Sequence, residues 1–232
     1  MKVFAISDLH LCISGAKPME IFGDGWANYQ EIIKADWLKK VGQDDVVLLP
    51  GDLSWAMKID EAEKDFAYFD DLPGKKIIVR GNHDYWWNSV SVVRSKLKNQ
   101  MFALQNDAIK FGDYIFCGTR GWLPKEKKGF SEQDQKIYNR EVIRLEMALQ
   151  AAKRLQTNNE KIVCLIHYPP YNSNKDGNEM LDLMFKFGVE SCVFGHLHGH
   201  NGKYEKKVVL GGVKFYLASC DLIGNKLIEI YK

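Results

Sequence analysis

The sequence has no long apolar segment and almost no net charge. No stretch approaches the roughly 20 consecutive apolar residues that a membrane-spanning helix requires. The apolar run at residues 3–6 is too short for a signal peptide and is soon followed by a charge at Asp8. The 32 basic and 30 acidic side chains leave a formal charge of +2, which is too small by itself to favour nucleic acid or a membrane surface. We therefore expect a cytoplasmic protein with no membrane span and no nucleic-acid-binding module.

Paired cysteines, internal repeats, low-complexity tracts and interdomain linkers are also missing. The five cysteines are scattered and form no Cys-x-x-Cys motif. Most of them lie in apolar, strand-like runs, where a thiol behaves as a small hydrophobic group, and this distribution suits a reducing compartment. A chain of 232 residues that is 46% apolar has an ample core, so we expect one domain over residues 1–232.

Apolar runs typical of strands alternate with segments of helical spacing. Strands are predicted at residues 3–6, 46–49, 77–79, 102–104, 108–111, 114–118, 162–166, 191–194, 208–210, 214–217 and 227–230. Helices are predicted at residues 28–41, 60–72, 89–97, 131–155 and 179–187. Asp60 and Glu63 have the spacing of a capping box, and Gly211-Gly212 is typical of a hairpin turn. This order predicts a mixed α/β fold whose most apolar strands are buried at its centre.

Several predicted strands end in polar side chains that can bind a metal ion. Four of these side chains lie at or just after the end of an apolar strand: Asp8, Asp52, Asn82 and His167. Open α/β sheets bind ligands outside the carboxyl ends of their strands. We therefore expect these groups to meet at one edge of the fold.

Five of the six histidines lie in short motifs with aspartate, asparagine or glycine, and only His200 falls outside them. The motifs are Asp8-Leu9-His10, Gly51-Asp52, Gly81-Asn82-His83-Asp84, His167 and Gly195-His196-Leu197-His198. Carboxylates can bridge two ions because each has two oxygens. Imidazole and oxygen donors without a thiolate suit manganese, iron, zinc, cobalt or nickel. The sequence therefore predicts a site for two divalent metal ions, with manganese as the first candidate.

These motifs, in this order over residues 8–198, resemble the signature of the calcineurin-like metallophosphoesterases. The resemblance implies a β-sandwich of mixed sheets flanked by helices, with the metals at its edge. It assigns the metal ligands as follows: Asp8, His10 and His198 to one ion, Asn82, His167 and His196 to the other, and Asp52 as the bridge. By the same resemblance His83 is a catalytic residue that faces the substrate and is not a ligand.

The resemblance also implies the reaction, which is hydrolysis of a phosphate ester. Two ions roughly 3.5–4 Å apart can share a water and lower its pKa toward neutrality. The resulting bridging hydroxide would attack phosphorus in line, with His83 as the general acid for the leaving group. We expect the substrate to be a small phosphorylated molecule, a monoester or a diester, and nucleotide-like.

The sequence departs from one branch of the superfamily at the second motif. The serine/threonine protein phosphatases carry Gly-Asp-x-x-Asp-Arg-Gly, whereas residues 51–57 here read Gly-Asp-Leu-Ser-Trp-Ala-Met. The second aspartate, which would orient the catalytic histidine, and the arginine, which would bind phosphate, are both missing. Protein dephosphorylation is therefore not expected, and Asp84 or a distant carboxylate is left to orient His83.

Other side chains near the motifs are candidates for binding the substrate. Arg120 and Arg80 either replace the missing phosphate-binding arginine, because a guanidinium binds phosphate through two hydrogen bonds, or form surface or structural pairs, with Arg80 pointing away from the site. Four aromatic side chains either line a pocket for a flat group or pack in the core: Trp55, Tyr85, Trp86 and Tyr168. Three lysines either form a rim facing the substrate or lie in a solvated loop: Lys125, Lys127 and Lys128.

Two alternative functions remain open. A pyrophosphatase acting on a nucleotide-linked lipid precursor would need an exposed apolar groove near the metals, formed by the region of Trp26 and Trp37 or by the long helix. A non-catalytic metal-binding scaffold would not need His83, so the presence of that histidine argues against this alternative. The sequence leaves the oligomeric state open.

Overall fold

The computed structural model describes residues 1–13, 17–98, 100–126, 129–199 and 204–232. His200, Lys127 and Lys128 lie outside the described residues, so both alternatives given for the two lysines stay open. Lys125 is described, and its Nζ pairs with Glu179 at 2.7 Å.

Eleven strands form two sheets within the described part of the chain. The strands are β1 (Val3–Ala5), β2 (Val46–Leu49), β3 (Lys75–Ile78), β4 (Met101–Ala103), β5 (Asp107–Phe111), β6 (Tyr114–Thr119), β7 (Lys161–Ile166), β8 (Val189–Phe194), β9 (Lys207–Leu210), β10 (Val213–Leu217) and β11 (Ile228–Tyr231). One sheet has the order β11-β1-β2-β3-β4, and the other has the order β5-β6-β7-β8-β10-β9. Strands β1 to β4 are mutually parallel, and so are β6, β7, β8 and β10. The antiparallel strands β11, β5 and β9 lie at the edges.

Helices cover the outer faces of both sheets. They are α1 (Tyr29–Lys40), α2 (Ile59–Phe66), α3 (Val90–Lys96), α4 (Glu132–Leu155) and α5 (Glu179–Lys186), with short 3-10 helices at Met19–Phe22, Asp24–Trp26 and Ala67–Phe69. The helix predicted from residue 131 is confirmed. Ser131 caps α4, since its hydroxyl accepts from the Asp134 N–H and the Asp134 carboxylate accepts from the Ser131 N–H. None of the helices in the described ranges is long and apolar enough to cross a membrane.

The capping box predicted at Asp60 and Glu63 is wrong. Helix α2 begins one residue earlier, with Lys58 at its N-cap and no capping side chain. Both carboxylates instead pair with Lys96 of α3, at 2.9 Å and 3.2 Å. Lys96 is more than thirty residues away from both carboxylates along the chain, so local spacing could not reveal this contact.

The core is divided into three layers because strand side chains alternate between the two faces of a sheet. Ala5 of β1 and Leu165 of β7 belong to one buried cluster between the two sheets. Phe4 faces the other way and shares a cluster with Trp37 of α1, whereas Cys164 shares a third cluster with α4 and α5. Both faces of each sheet are buried, which explains the continuous apolar runs of the strands. The predicted sandwich of mixed sheets flanked by helices is confirmed.

This topology brings the ends of six of the parallel strands to one edge of the sandwich, namely β1, β2, β3, β7, β8 and β10. The loops after β1 and β2 are joined by backbone hydrogen bonds, from Asp8 N–H to Gly51 C=O at 3.1 Å and from His10 N–H to Asp52 C=O at 2.9 Å. In the other sheet, the loops after β7 and β8 are joined by a bond from the Gly195 N–H to the His167 C=O at 3.1 Å. The two sheets are joined at this edge by a bridge from Ser7 to Ser219 and by a bond from the Ser7 N–H to the Ala218 C=O at 2.7 Å.

Candidate metal centre

Four of the motif residues adopt the left-handed backbone conformation. Their φ values are 60° for Asp8, 46° for His10, 52° for Asp52 and 71° for His196. This conformation costs a non-glycine residue about 1–3 kcal/mol and persists only where surrounding contacts enforce it. The backbone hydrogen bonds between the loops hold these residues in this conformation. In this conformation the four side chains turn toward a common point.

Two of the motif glycines leave room for the carboxylates. A Cβ at Gly81 would overlap Asp52, and a Cβ at Gly195 would overlap Asp8 and Ser7. The glycine in each motif therefore makes space for a predicted ligand from another loop.

The first predicted ligand set is assembled around Asp8. Donor atoms of Asp8, His10 and His198 all lie within 4.8 Å of one another. His198 Nε2 is 3.2 Å from Asp8 Oδ1. The carboxylate of Asp8 also accepts from the His196 N–H and the Ser219 hydroxyl, each at 3.1 Å, so it is fixed from three sides.

The second predicted set is assembled around Asn82. Its Oδ1 is 2.7 Å from His167 Nε2 and 2.8 Å from His196 Nδ1. Asp52 lies between the two sets, because its Oδ2 is 3.7 Å from His10 Nε2 and 3.5 Å from His167 Nε2. Asp8 is shared as well, since its donor atoms also lie within 4.8 Å of those of Asp52 and His167.

The orientation of the histidine rings fits a cation between them. His167 Nδ1 is 2.9 Å from the Pro50 carbonyl, which can only accept, so the neutral ring carries its hydrogen on Nδ1. The lone pair on Nε2 then faces the oxygens of Asn82 and Asp52, which are themselves acceptors. In the same way Asp221 Oδ1, 2.9 Å from His198 Nδ1, leaves His198 Nε2 facing Asp8. The lone pair of His167 Nε2 and the oxygens of Asn82 and Asp52 therefore converge without a donor between them, which is the arrangement that a divalent metal ion would satisfy.

One buried histidine nitrogen supports the same conclusion. His10 Nδ1 is shielded from solvent and has no hydrogen-bond partner among the described residues. Burying an unpartnered polar atom is unfavourable, so such atoms require an explanation. The nitrogen and oxygen donors present suit a divalent metal ion.

Burial and mutual proximity shift the protonation equilibria of these groups in opposite directions. Burial lowers the pKa of His10 and of His196 to about 3, so both rings are neutral and can donate a lone pair. Burial, and then the charge of Asp8, raise the pKa of Asp52 to about 8. Burial would lower the pKa of His198, but the Asp8 charge and the Asp221 hydrogen bond raise it to about 10. Burial would raise the pKa of Asp8, but His198 holds it well below its usual range.

The carboxylate of Asp84 supports the loops and does not contact His83. It accepts backbone N–H bonds from Asp52 at 2.9 Å, Leu53 at 2.9 Å and Gly81 at 2.7 Å. The expectation that Asp84 orients His83 is therefore wrong. A carboxylate placed among several orphan N–H groups is satisfied by them, and here it fixes the turns that carry the ligands.

His83 is surrounded by rings instead of a carboxylate. Its backbone N–H donates to Asp52 Oδ1 at 2.8 Å, while its Nδ1 is buried and has no hydrogen-bond partner among the described residues. The Trp55 ring lies 4.6 Å from the His83 ring and stacks on His10 at 4.7 Å with an angle of 23°. Burial lowers the pKa of His83. Trp55 thus stands where the protein phosphatases carry their second aspartate, and it contacts the same histidine by packing.

The other candidate substrate residues differ in their access to solvent. Tyr85 is 48% exposed, and its ring lies 6.1 Å from that of His83. Tyr168 is mostly buried, and its ring lies 4.2 Å from that of His196. Trp86 is fully buried in the core and its indole N–H donates to Asp84, so a substrate cannot reach its ring.

Arg120 lies over the Trp122 ring at 4.8 Å, and its Nη2 is 3.8 Å from Glu141.

Asp221, which orients His198, was missed by sequence reasoning. Trp26, considered from the sequence only as part of an apolar groove, places its ring 6.0 Å from His10 and 5.7 Å from His198. The signal for Asp221 was the polar run Ser-Cys-Asp directly after an apolar strand, the same pattern that singled out Asp8. Trp26 lies in a glycine-rich segment and carried no comparable signal.

Comparisons with known proteins agree with this architecture. The family model for calcineurin-like phosphoesterase matches residues 1–200. The structure of TT1561 from Thermus thermophilus superposes with a TM-score of 0.61 at 16% identity, covering 99% of this chain and 97% of that chain. The structure of AQ665 from Aquifex aeolicus, described as a protein of unknown function, superposes with a TM-score of 0.52 at 14% identity, covering 98% and 95%. At such identities these two structures support the fold alone. No curated protein matches the chain.

Proposed function

Because this chain belongs to the calcineurin-like phosphoesterase family and is a hydrolase acting on phosphoric esters, we propose that it cleaves a phosphate ester of a small molecule at the centre described above. The observation that carries the proposal is the position of Asp52. Its Oδ2 lies between His10 and His167, each of which belongs to a different ligand set. One carboxylate shared by two half-sites is what a pair of metal ions requires.

We propose that Asp8, His10 and His198 hold one divalent ion, that Asn82, His167 and His196 hold a second, and that Asp52 bridges them. Such ions supply Lewis-acid polarisation of the phosphoryl group and lower the pKa of water.

The remaining chemistry belongs to the protein. We propose that His83 donates a proton to the leaving oxygen, since its ring borders the ligand His10 at 5.5 Å and is only partly buried. Trp55 covers the His10 and His83 rings on one side and is itself held by a hydrogen bond from its indole N–H to Met19 Sδ. This packing limits the rotation of His83 and restricts access of water to it.

The proposed substrate is a small phosphorylated molecule with a flat group. The partly exposed ring of Trp55 and the exposed ring of Tyr85 flank His83 and offer stacking surfaces, which are worth roughly 1–3 kcal/mol per base. The groove required for a lipid precursor is not present at Trp26 and Trp37, which are 5% and 0% exposed. These two residues therefore do not support that alternative, and its second form, a groove along the long helix, stays a prediction.

A hydrolysis screen tests the proposal. Purified protein loaded with Mn²⁺ is assayed with p-nitrophenyl phosphate, its bis ester, cyclic nucleotides, nucleotide monophosphates and nucleotide sugars. We expect turnover of at least one class and its loss on addition of a chelator. The absence of turnover with Mn, Co, Ni, Zn and Fe, in folded protein that still binds these metals, would contradict the proposal and favour a scaffold.

A further inference from the structure

A cavity of about 280 Å³ lies at the carboxyl ends of four parallel strands in the sheet that contains β5 to β10. Its walls are mostly apolar and come from the loops after β6, β7 and β8 and from the end of β10. They include Pro124, Pro169, Tyr171, Phe194, Leu197 and Leu217. None of these six side chains is a proposed metal ligand. Ligands of open α/β sheets bind at this end of the strands, so the cavity is in a favourable place for a binding site.

One wall of the cavity belongs to the loop that carries two proposed metal ligands. Leu197 stands between His196 and His198 in the sequence, so its Cα lies about 3.8 Å from each of theirs. Its side chain packs against the core cluster that includes residues of α4 and α5. The two histidines face the other way, His196 Nδ1 toward Asn82 and His198 Nε2 toward Asp8. The cavity and the candidate metal centre therefore lie on opposite sides of one short loop.

The walls of the cavity favour a flat ring. The ring of Tyr171 packs edge-to-face on Phe194, with centroids 5.7 Å apart and an angle of 79°, and on Phe215, at 5.4 Å and 88°. A further aromatic ring can extend such a cluster, because edge-to-face and offset pairs are the favoured arrangements. The volume of the cavity lies just below the range of about 300–1,000 Å³ that is typical of small-molecule sites, so it suits one or two rings.

Hydrogen bonds between two loops hold the cavity in shape. The Ser173 N–H and hydroxyl donate to the Glu126 carboxylate at 2.8 Å and 3.0 Å. The side-chain amide of Asn172 donates to the Lys125 carbonyl at 3.0 Å. These bonds join the loop after β7 to the loop after β6, so a ligand would order little of the protein when it binds.

The charged side chains that border the cavity argue for an uncharged ligand. Among the described residues they are Glu126, Lys175 and Glu205, one cation and two anions with a formal charge of −1. Lys175 pairs with Glu205, and Glu126 accepts the two bonds from Ser173. Burying an additional charge against apolar walls is costly unless a partner of opposite charge is free. A phosphate or carboxylate group is therefore disfavoured here.

We propose that this cavity binds a small uncharged molecule with one or two aromatic rings, and that its occupancy is coupled to metal binding through the loop from His196 to His198. A ligand that packs on Leu197 fixes the position of that residue, and the same backbone positions the two histidines on either side. Ligand and metal should therefore change each other's affinity by the same factor. The coupling rests on the proposed ligand assignment, whereas the binding itself does not.

Fluorine NMR with 5-fluoroindole as the probe measures binding without catalysis. The full chain is loaded with Zn²⁺, which is diamagnetic, and titrated against the probe. We expect a saturable shift with a Kd on the order of 1 mM, as for a ligand of this size. We expect 5-fluoroindole-2-carboxylate to bind at least about tenfold more weakly, because its charge finds no free partner in the cavity. No saturable binding of 5-fluoroindole, or equal binding of the carboxylate, would overturn the proposed ligand class.

Two neighbouring substitutions locate the binding site. Ser173 is exposed and borders the cavity, so the large ring of S173W should fill it and weaken 5-fluoroindole binding by roughly tenfold or more. N174W is the matched control, because Asn174 is also exposed but does not line the cavity, and it should bind the probe as wild type does. Y171L removes a ring from the wall and serves as a second variant, and thermal unfolding checks that each protein is folded. Wild-type affinity in both S173W and Y171L would overturn the site.

A second measurement tests the coupling to the metals. The affinity for 5-fluoroindole is compared between Zn²⁺-loaded and EDTA-treated protein, and the affinity for Zn²⁺ is measured by calorimetry with and without the probe. We expect both affinities to change by the same factor, at least about fivefold, and we expect this effect in N174W but not in S173W. A probe affinity that is equal in the loaded and the metal-free protein would overturn the coupling. Neither measurement needs turnover, so both remain decisive if the hydrolysis screen fails.

Discussion

Asp221 holds His198 by its Nδ1, so that Nε2 of the same ring faces Asp8. Replacing Asp221 therefore tests the proposed ligand sets. Asp221 Oδ1 lies 2.9 Å from His198 Nδ1, and its Oδ2 accepts from the Gly199 N–H at 3.0 Å. D221A removes both contacts, whereas D221N keeps an amide oxygen for Nδ1–H in a side chain of the same size. We therefore expect D221A to release the His198 ring and D221N to retain part of its orientation.

The magnitude follows from what such a partner contributes. A carboxylate behind a metal-binding histidine is worth roughly 10–100-fold in metal affinity, which corresponds to about 1.4–2.7 kcal/mol. The loss should fall on the ion assigned to His198. The ion assigned to Asn82, His167 and His196 should be held almost as in wild type, because Asp221 contacts none of these three among the described residues.

Isothermal titration with Mn²⁺ after chelator treatment measures both affinities. Wild type should bind in two steps, and D221A should weaken one of them, with D221N intermediate. D44N is the control, because Asp44 is an exposed aspartate with the same charge. A D221A titration that superposes on that of wild type, or one in which both steps weaken equally, would refute the assignment of His198 to a single ion.

Three further predictions concern His83 and the protons of the metal-free site. H83A should retain its metal content, and its turnover should fall by roughly 10²–10⁴-fold, as expected for loss of a general acid. Elemental analysis that shows loss of metal in H83A would instead make His83 a ligand. In metal-free protein Asp52, with a pKa of about 8, and His198, with a pKa of about 10, both hold a proton at pH 7. Both pKa values are raised above those of the unfolded chain, so the folded state binds more protons, and the chelated protein should lose stability as pH rises from 7 to 10. Metal binding should release protons over the same pH range. Calorimetric titrations in buffers of different ionisation enthalpy would detect this release. A binding heat that does not depend on the buffer would argue against proton release.

The strands and the convergence of their ends could be predicted because both are encoded locally. An apolar run ending in a polar side chain identifies a strand and its end together, as at Asp8 and His167. The hairpin at Gly211-Gly212 was predicted for the same reason, and both glycines have positive φ, 55° and 85°. Where a residue and its immediate neighbours determine the local structure, that structure can be predicted from the sequence.

The supporting carboxylates could not be predicted, because their partners are chosen by tertiary contacts. Asp221 meets His198 only because β10 lies parallel to β8, which brings two strand ends together. Asp84 looked like a partner for His83 from its spacing, but the N–H groups of two turns surround it. Glu141 lies in the middle of a long helix, where its sequence context resembles that of any exposed acidic residue.

The role of Trp55 illustrates the same limit. Sequence comparison with the protein phosphatases revealed only that an aspartate was missing at this position. In the structure the Trp55 ring takes the place of that aspartate. It contacts both His10 and His83, and its indole N–H donates to Met19 Sδ. This packing depends on Met19, which lies in a segment with few periodic signals in the sequence.

The central claim is that two metal ions share Asp52, and counting metal ions in D52N tests it most directly. Protein loaded with Mn²⁺ and freed of excess metal is analysed for metal per chain, with D44N as the charge-matched control. The account predicts about two ions per chain in wild type and D44N, and loss of both together in D52N because each ligand set loses its shared oxygen. A D52N protein that keeps its full metal content, or a wild type that binds only one ion, would contradict it.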